Sequence, residues 1–180
     1  MLIKKILFAI SLNLLSCIIT AEEIQPVNNF NISQYLGKWY EIARLDHWFE
    51  RDMTNVSAEY SLHKKGGIKV LNKGLKKGTK WKTAEGRANF IGQEDQGLMK
   101  VSFFWPFSTP YLIFELDDAY QYAFVTSDSR SYLWFLSRKP CVTEDLKKHF
   151  ERKIDSLGFD KNELIYVDQD CVKSNDTNVK

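Results

Sequence analysis

The sequence predicts an all-β protein made of sequential antiparallel strands. Eight short segments with alternating or continuous apolar residues follow one another between positions 39 and 138, and turn-forming residues separate them. No segment between them has the pattern of a crossover helix, which excludes a parallel α/β sheet. A single amphipathic helix comes after the last strand. Sequential hairpins of this kind are typical of an up-and-down barrel or of a β-sandwich.

The strands are identified by their alternation and by the turns between them. Residues 55–63 place Val56, Ala58 and Tyr60 on one face and polar residues on the other, as in a half-buried strand. A turn at 64–67 leads to a partner strand at 68–72. Gly86 predicts a bulge or sharp bend inside the next long strand. The first strand begins at Trp39, and the other predicted strands cover 80–91, 98–104, 111–116, 121–126 and 131–138.

The pattern changes after Pro140, where a helix is predicted. Thr143 can cap its first turn, and Gly158 can end it. A single apolar stripe indicates one buried face, so the helix is expected to pack against the outside of the sheet. A short final strand is predicted at 164–167. The apolar stripe consists of Leu146, Phe150, Ile154 and Leu157.

The N-terminal residues predict an export signal. Lys4 and Lys5 precede an apolar run at 6–19 that is short for a membrane span. Cleavage before Cys17 leaves a cysteine for acylation, as in bacterial lipoproteins, whereas cleavage after Ala21 fits an ordinary signal-peptidase site. The predicted organisation is a signal peptide at 1–16, with cleavage after 21 as the alternative, a linker at 17–30, the main domain at 31–172 and a flexible tail at 173–180.

Charge and cysteine content exclude some functions and predict one cross-link. Either cleavage removes Lys4 and Lys5 from the 25 basic residues, which leaves 23 against 23 acidic ones. A chain without net charge is a poor candidate for binding nucleic acid, whose affinity comes mainly from phosphate neutralisation. Export implies an oxidising compartment, so Cys141 and Cys171 are expected to form a disulfide. Its loop of about 31 residues contributes ~3–4 kcal/mol to stability in the chain-entropy model.

Three residues at the two ends of the strand region resemble the signature of the lipocalin family. Gly37 and Trp39 begin the first strand, and Arg138 ends the last one before the helix. The resemblance implies an eight-stranded antiparallel up-and-down barrel with the helix packed outside. It also implies that Trp39 lies at the closed end with Arg138 across it, a cation–π contact of ~1–2 kcal/mol in a partly desolvated place. These three positions are expected to be structural.

The bacterial lipocalins and their relative apolipoprotein D show the closer similarity, which extends from about residue 27 to 169. It rests on the segments 27–30, 39–44, 49–51, 101–107 and 132–134. This resemblance implies an outer-membrane lipoprotein that is anchored through Cys17 at the periplasmic face and binds fatty acids or lysophospholipids. It implies no cofactor, no metal and no catalysis.

Strand alternation gives a candidate set of inward-facing, ligand-binding residues. Phe114 is placed inward because Glu115 would be costly inside the barrel without a partner. Such a set suits an acyl chain, since each buried methylene is worth ~0.8 kcal/mol. The alternative is that these side chains pack against one another and fill the barrel. The set comprises Ala58, Tyr60, Val70, Phe90, Val101, Phe103, Phe114, Phe124 and Trp134.

Two loops are candidates for the open end of the barrel. The loop at 45–51 is expected to form a lid, and Arg44, His47 and Arg51 on or beside it could contact a phosphate or carboxylate head group. The alternative is that they are solvated or paired with Asp46 and Glu50. The aromatic loop at 105–110 has three open roles: a cavity entrance, a membrane-touching edge or a homodimer contact.

The predicted function is that of a lipid-binding lipocalin that stores or transports fatty acids or lysophospholipids at the outer membrane. One alternative is a secreted carrier of a steroid, pigment or haem, in keeping with glycosylation sequons at Asn31, Asn55 and Asn175. The other is a lipid-modifying enzyme that uses Asp46 and His47 beside Ser57. No nucleophile elbow or zinc spacing accompanies these residues in the sequence.

Overall fold

In the computed structural model, which describes residues 23–77 and 79–171, eight strands form a closed antiparallel barrel. Each of β2 to β7 pairs with the next strand along the chain, and β1 pairs with both β8 and β2 to close the sheet. The predicted all-β class and up-and-down barrel are confirmed. The elements are α1 (Ile32–Tyr35), β1 (Gly37–Arg44), β2 (Met53–Leu62), β3 (Ile68–Lys76), β4 (Lys80–Phe90), β5 (Leu98–Phe104), β6 (Phe107–Leu116), β7 (Tyr122–Thr126), β8 (Leu133–Ser137), α2 (Glu144–Ser156), a 3₁₀ turn (Lys161–Glu163) and β9 (Ile165–Tyr166).

The predicted signal peptide and the acylation site at Cys17 lie outside the described residues, as does the tail at 173–180. Among the residues that are described, no helix is long and apolar enough to cross a membrane.

The strand β6 is longer than the sequence predicts, whereas β5 has the predicted bounds. The expected loop at 105–110 is wrong, because β6 begins at Phe107 and Phe104 already pairs with Phe107 across a two-residue turn. Pro110 is tolerated in this strand because β7 pairs with β6 only from Leu112 onward. At Pro110, β6 therefore pairs with β5 alone, and the missing N–H breaks no ladder with β7.

Gly86 does not form the predicted bulge. The ladder between β3 and β4 runs through it without a register shift. A Cβ atom at Gly86 would lie 2.8 Å from the ring of Phe103 and 2.9 Å from the carbonyl oxygen of Ser102. The glycine is therefore needed for the close approach of an aromatic side chain from β5.

The lower end of the barrel is closed by aromatic side chains around Trp39. The indole of Trp39 is fully buried and donates a hydrogen bond to the carbonyl oxygen of Tyr35 at 2.8 Å. The guanidinium of Arg138 lies 3.9 Å from the centre of the Trp39 ring and donates to the carbonyl oxygens of Gln34 and Lys38. Gly37 has φ of +94°, which a side chain would strain. The three signature residues thus form one structural unit.

The helix α2 packs on the outer face of the sheet. Thr143 caps it by accepting a hydrogen bond from the backbone N–H of Leu146 at 3.3 Å. The protein has an inner core inside the barrel and an outer core between the helix and the barrel. Phe150 and Ile154 are completely buried in the outer core. This placement confirms the predicted cap and the position of the helix.

The predicted inward orientation of Phe114 and Phe124 is wrong, because both belong to this outer core. A bulge between Ile113 and Glu115 changes the parity of β6, so that Phe114 faces outward with Glu115. Phe124 contacts Phe150 at a ring distance of 4.7 Å. The outer face of these strands is apolar because the helix covers it, and alternation therefore gives no signal there.

A C-terminal segment fills the place where β1 and β2 separate. The strand β9 pairs with Ala43 and Arg44 of β1. The side-chain amide of Gln169 donates to the carbonyl oxygens of Glu41 and Val56, each at 2.8 Å, and so joins the two diverging strands. The predicted disulfide between Cys141 and Cys171 is confirmed and fixes the end of this segment, with a Cα separation of 5.8 Å.

Candidate ligand-binding cavity

The barrel encloses a cavity of about 760 Å³. This volume lies in the usual range of small-molecule sites, roughly 300–1,000 Å³. The interior is therefore not filled by its own side chains, which was the alternative that the sequence left open. Six of the nine predicted ligand-binding residues line it: Ala58, Tyr60, Val70, Val101, Phe103 and Trp134.

The other three predicted residues lie elsewhere. Phe90 packs against the inner core near the closed end, with its ring 6.2 Å from that of Phe30. Phe114 and Phe124 belong to the outer core, as described above. Their strands supply Tyr111 to the cavity wall instead.

Sequence alternation missed several cavity residues. Tyr111 and Leu136 lie on strands that are apolar on both faces, and Glu41 is a charged residue, which an apolar pattern does not place inside. Glu50 belongs to the loop between β1 and β2, and no periodicity predicts its position. Of these residues, only Tyr111 could have been identified from its residue type, because a tyrosine has an apolar ring that suits a cavity wall and a hydroxyl that needs a partner.

A buried charge cluster lies on one wall of the cavity. The guanidinium of Arg44 donates to a carboxylate oxygen of Glu41 at 2.8 Å and to the backbone carbonyl oxygen of Glu50 at 2.8 Å. The indole of Trp134 donates to the side-chain carboxyl of Glu50 at 3.2 Å. The cluster is nearly inaccessible to solvent, although both glutamates line the cavity. Two carboxyls thus share one cation.

Burial controls the protonation of this cluster. It raises the pKa of Glu41 well above the usual value, and the neighbouring Glu50 carboxyl raises it further, while Arg44 opposes both effects. Burial also raises the pKa of Glu50, against the hydrogen bond from Trp134. The physical reason is that two carboxylates cannot both ionise beside a single guanidinium in a site shielded from water.

The three predicted head-group residues do not line the cavity. Arg44 is held inside the charge cluster and is only 2% exposed. Arg51 is at the surface and pairs with Asp46, with an Nε to Oδ2 distance of 3.1 Å. Arg44 and Arg51 both border a separate surface depression of about 520 Å³ near β9. Both arginines are paired with acidic side chains, Arg44 with Glu41 and Arg51 with Asp46, as the alternative of paired charges expects.

His47 is buried in an aromatic cluster behind the cavity wall. Its ring stacks on Phe49 and lies 4.6 Å from the ring of Tyr132 and 5.2 Å from that of Trp134. Burial lowers the pKa of His47 to about 4, and the nearby charge of Arg44 acts in the same direction. The imidazole is therefore neutral at neutral pH and serves as a packing group.

The candidate triad of Asp46, His47 and Ser57 is not assembled. Asp46 pairs with Arg51, and the Nε2 atom of His47 is buried without a hydrogen-bond partner among the described residues. Catalysis of this kind needs a base within hydrogen-bond distance of the nucleophile and an acidic group orienting it.

The mouth of the cavity combines aromatic and basic side chains. Trp48, Phe104 and Phe107 line it and are largely exposed, and Trp105 at the tip of the β5–β6 turn is 92% exposed. The ends of this turn border the cavity mouth, as the entrance role requires. Lysines from β3 and β4 line the same end of the cavity, and none of them forms an ion pair with a described residue: Lys73, Lys76 and Lys82.

Comparisons with known proteins agree with this architecture. Residues 30–169 match the family model of the lipocalin-like domain. The outer membrane lipoprotein Blc of Vibrio cholerae is 48% identical over 167 residues, covering 91% of this chain and 96% of that protein. Bovine apolipoprotein D is 30% identical over 155 residues, with 81% of each chain covered.

A solved structure shares the fold at low sequence identity. Insecticyanin from the tobacco hornworm Manduca sexta superimposes with a TM-score of 0.64 at 22% identity, over 83% of this chain and 86% of its own. The family model covers most of the described residues, and the barrel has the expected strand order and closed end. On this evidence the chain belongs to the lipocalin family.

Proposed function

We propose that this protein binds a single-chain lipid, a fatty acid or a lysophospholipid, and carries it at the outer membrane. The observation that supports this most directly is an open, mainly apolar cavity of about 760 Å³ with unpaired lysines at its mouth. An acyl chain gains ~0.8 kcal/mol for each methylene that leaves water, and a cavity of this kind provides the apolar surface.

The direction of the ligand follows from the charges. Lys76 and Lys82 can attract a carboxylate or phosphate at the mouth, whereas the ammonium of Lys73 lies 4.2 Å from the centre of the Trp81 ring. The guanidinium of the charge cluster is already bonded to a carboxylate oxygen of Glu41 and to the backbone carbonyl oxygen of Glu50, so the cluster is a poor site for a further anion. We therefore infer that the head group stays at the mouth and that the acyl chain enters the barrel.

The proposed location rests on relatives and on the N-terminal sequence. The Vibrio cholerae relative is named an outer membrane lipoprotein, and Cys17 follows an apolar export segment in this chain. Exposed aromatic side chains at the mouth suit a protein that exchanges lipid with a membrane surface. Metabolic labelling with palmitate tests the anchor: the label is expected in the wild type and is expected to be lost in Cys17→Ala.

A carrier fits the site better than an enzyme does. The cavity is lined mainly by apolar groups, and Glu41 and Glu50 on its wall are held by Arg44 and Trp134. Asp46, His47 and Ser57 are not arranged for nucleophilic attack, as described above. Turnover of a lysolipid or ester substrate by the pure protein, lost in a His47 variant, would revive the enzymatic alternative.

Mass spectrometry of lipids extracted from the purified protein tests the ligand class. Fatty acids or lysophospholipids are expected at close to stoichiometric amounts. Lysolipid added to delipidated protein is also expected to quench the fluorescence of Trp134, which lines the cavity. Trp134→Phe is the control that separates this signal from those of the other four tryptophans. A pigment or steroid as the main extracted ligand would contradict the proposal.

A further inference from the structure

Three tyrosine hydroxyls form a chain at the bottom of the cavity. The hydroxyl of Tyr111 lies 2.7 Å from that of Tyr35 and 2.8 Å from that of Tyr60. Tyr60 and Tyr111 line the cavity, and Tyr35 is completely buried beneath them. We refer to these three residues as the tyrosine floor.

Counting protons shows that the tyrosine floor has a hydrogen-bond donor to spare. Three hydroxyls carry three protons, and the two contacts use two of them. In the described part of the chain, these hydroxyls make no other hydrogen bond. Tyr35 is enclosed by the rings of Phe30 and Trp39, so we assign its hydroxyl as the donor to the hydroxyl oxygen of Tyr111. The spare proton therefore belongs to Tyr111 or Tyr60, which both face the cavity.

The tyrosine floor lies far from the mouth. Tyr60 pairs with Val70 on β3, and Lys76 at the mouth is six residues further along the same strand. Six residues of strand span about 20 Å. Above the floor, the wall is mainly apolar, with Ala58, Val101 and Leu136 among its residues, and Glu41, Ser57 and Asn72 are its polar members nearby. A lipid whose head group is at the mouth thus places the far part of its acyl chain next to the floor.

The floor suits a neutral oxygen atom better than an anion. Burial raises the pKa of all three tyrosines, so their hydroxyls keep their protons. The same cavity holds Glu41 and Glu50, and within residues 23–77 and 79–171 no basic side chain forms a hydrogen bond with the floor hydroxyls. A carboxylate placed here would lack a cation, whereas a hydroxyl, ketone or epoxide oxygen needs only a donor.

We propose that the tyrosine floor binds a neutral oxygen on the far half of the acyl chain, so that the protein accepts oxygenated single-chain lipids. This inference rests on the proposed lipid-binding function and specifies its ligand class. In a wholly apolar cavity, a buried chain hydroxyl would remain unpaired and would weaken binding about tenfold or more. The spare donor of the floor removes that penalty.

The test compares palmitic acid with ω-hydroxypalmitic acid, whose hydroxyl is at the far end of the chain. Binding of each to the delipidated full-length protein is measured by calorimetry. The wild type is expected to bind both within about twofold. The variant Tyr35→Phe/Tyr60→Phe/Tyr111→Phe removes all three hydroxyls and leaves none unpaired. It is expected to keep its affinity for palmitic acid and to bind the ω-hydroxy acid about tenfold more weakly.

Two controls make the result specific. Tyr40 lies on β1 and packs in the outer core, so Tyr40→Phe is expected to bind both acids as the wild type does. The isomer 2-hydroxypalmitic acid carries its hydroxyl beside the head group, and the triple variant and the wild type are expected to bind it equally.

The outcomes separate the two proposals. If the wild type does not bind palmitic acid, the proposed function fails. If it binds palmitic acid but binds the ω-hydroxy acid tenfold or more weakly, only the role of the tyrosine floor is overturned. The ratio of the two wild-type affinities therefore tests the role of the tyrosine floor even if the triple variant does not fold. A melting curve shows whether the variant is folded.

Discussion

At the scale of single residues, the polar groups inside the barrel are few and depend on one another. Among the described residues, Arg44 is the one cation that contacts Glu41 and Glu50, and the indole of Trp134 donates to the carboxyl of Glu50. Removing one member of such a buried set leaves a charged or polar group buried without its partner. The resulting loss of folding free energy exceeds the net stabilisation that the intact set provides.

Arg44→Met is therefore expected to lower the free energy of unfolding by about 3–5 kcal/mol, because it leaves two buried carboxyls without a cation. Denaturant unfolding at pH 7 measures the change. The double variant Arg44→Met/Glu41→Gln is expected to recover most of the loss, since only one carboxyl then remains. Equal losses in the single and double variants would show that the guanidinium acts mainly through its bond to the backbone of Glu50.

His47 is expected to make the protein sensitive to acid. Its pKa is about 4 in the folded state against 6.5 ordinarily, so between these values the unfolded chain binds a proton that the folded chain does not. The contribution of His47 to stability is complete above pH 6.5 and is lost as the pH falls to 4, by up to about 3 kcal/mol.

The measurement is the free energy of unfolding of the wild type and of His47→Phe across this pH range. The raised pKa values of Glu41 and Glu50 act in the opposite direction in both proteins, so the difference between the two curves isolates His47. The wild type is expected to lose stability relative to the variant on acidification. Parallel curves would mean that His47 titrates normally.

At the scale of the elements, the C-terminal segment completes the sheet. The strand β9 and Gln169 lie where β1 and β2 separate, and the disulfide of Cys141 with Cys171 fixes the end of this segment to the start of the helical region. Loss of that link frees the segment, and the gap between the two strands then opens to water.

Replacing Cys141 and Cys171 together by alanine is expected to lower the free energy of unfolding by about 3–4 kcal/mol. Thermal and denaturant unfolding both measure this. Wild-type protein that has been reduced and alkylated is the matched control and is expected to lose a similar amount. A double variant as stable as the oxidised wild type would show that β9 and Gln169 hold the segment unaided.

At the scale of the whole molecule, function depends on empty volume. The closed strand order of the barrel leaves about 760 Å³ inside, while the outer core under α2 is packed with aromatic rings. The cavity wall combines aliphatic residues such as Ala58, Val70 and Val101 with aromatic ones, and Gly86 lets the ring of Phe103 lie close to the wall.

Filling the cavity should abolish ligand binding and leave the fold intact. Val101 is half-buried and faces the cavity, so Val101→Trp is expected to prevent lipids from copurifying while the far-ultraviolet circular dichroism stays unchanged. Mass spectrometry of extracted lipids is the readout. The exposed residue Leu62 provides the control, since Leu62→Trp adds the same bulk outside the barrel. Undiminished lipid content in Val101→Trp would place the ligand elsewhere.

Much of the architecture could be predicted from local patterns. Alternation at 55–63 and the turns between strands indicated sequential hairpins, and the family resemblance of Gly37, Trp39 and Arg138 selected the barrel over the sandwich. Five inward residues were also identified because their strands carry polar residues on the other face: Ala58, Tyr60, Val70, Val101 and Phe103. Trp134 was identified as well, although its strand is apolar on both faces. Pairing of the two cysteines followed from their number and from the predicted export of the chain.

The sequence by itself determined the strand order, the helix and the apolar character of the interior, because these depend on local periodicity and composition. The tertiary structure alone decided which face Phe114 and Phe124 take, since the bulge in β6 and the covering helix remove the alternation signal there. It also decided that Arg44 turns toward Glu41 and that three tyrosines meet at the floor. Contacts of this kind join residues far apart in the chain, and the empty volume depends on how the closed sheet positions all of its inward side chains at once.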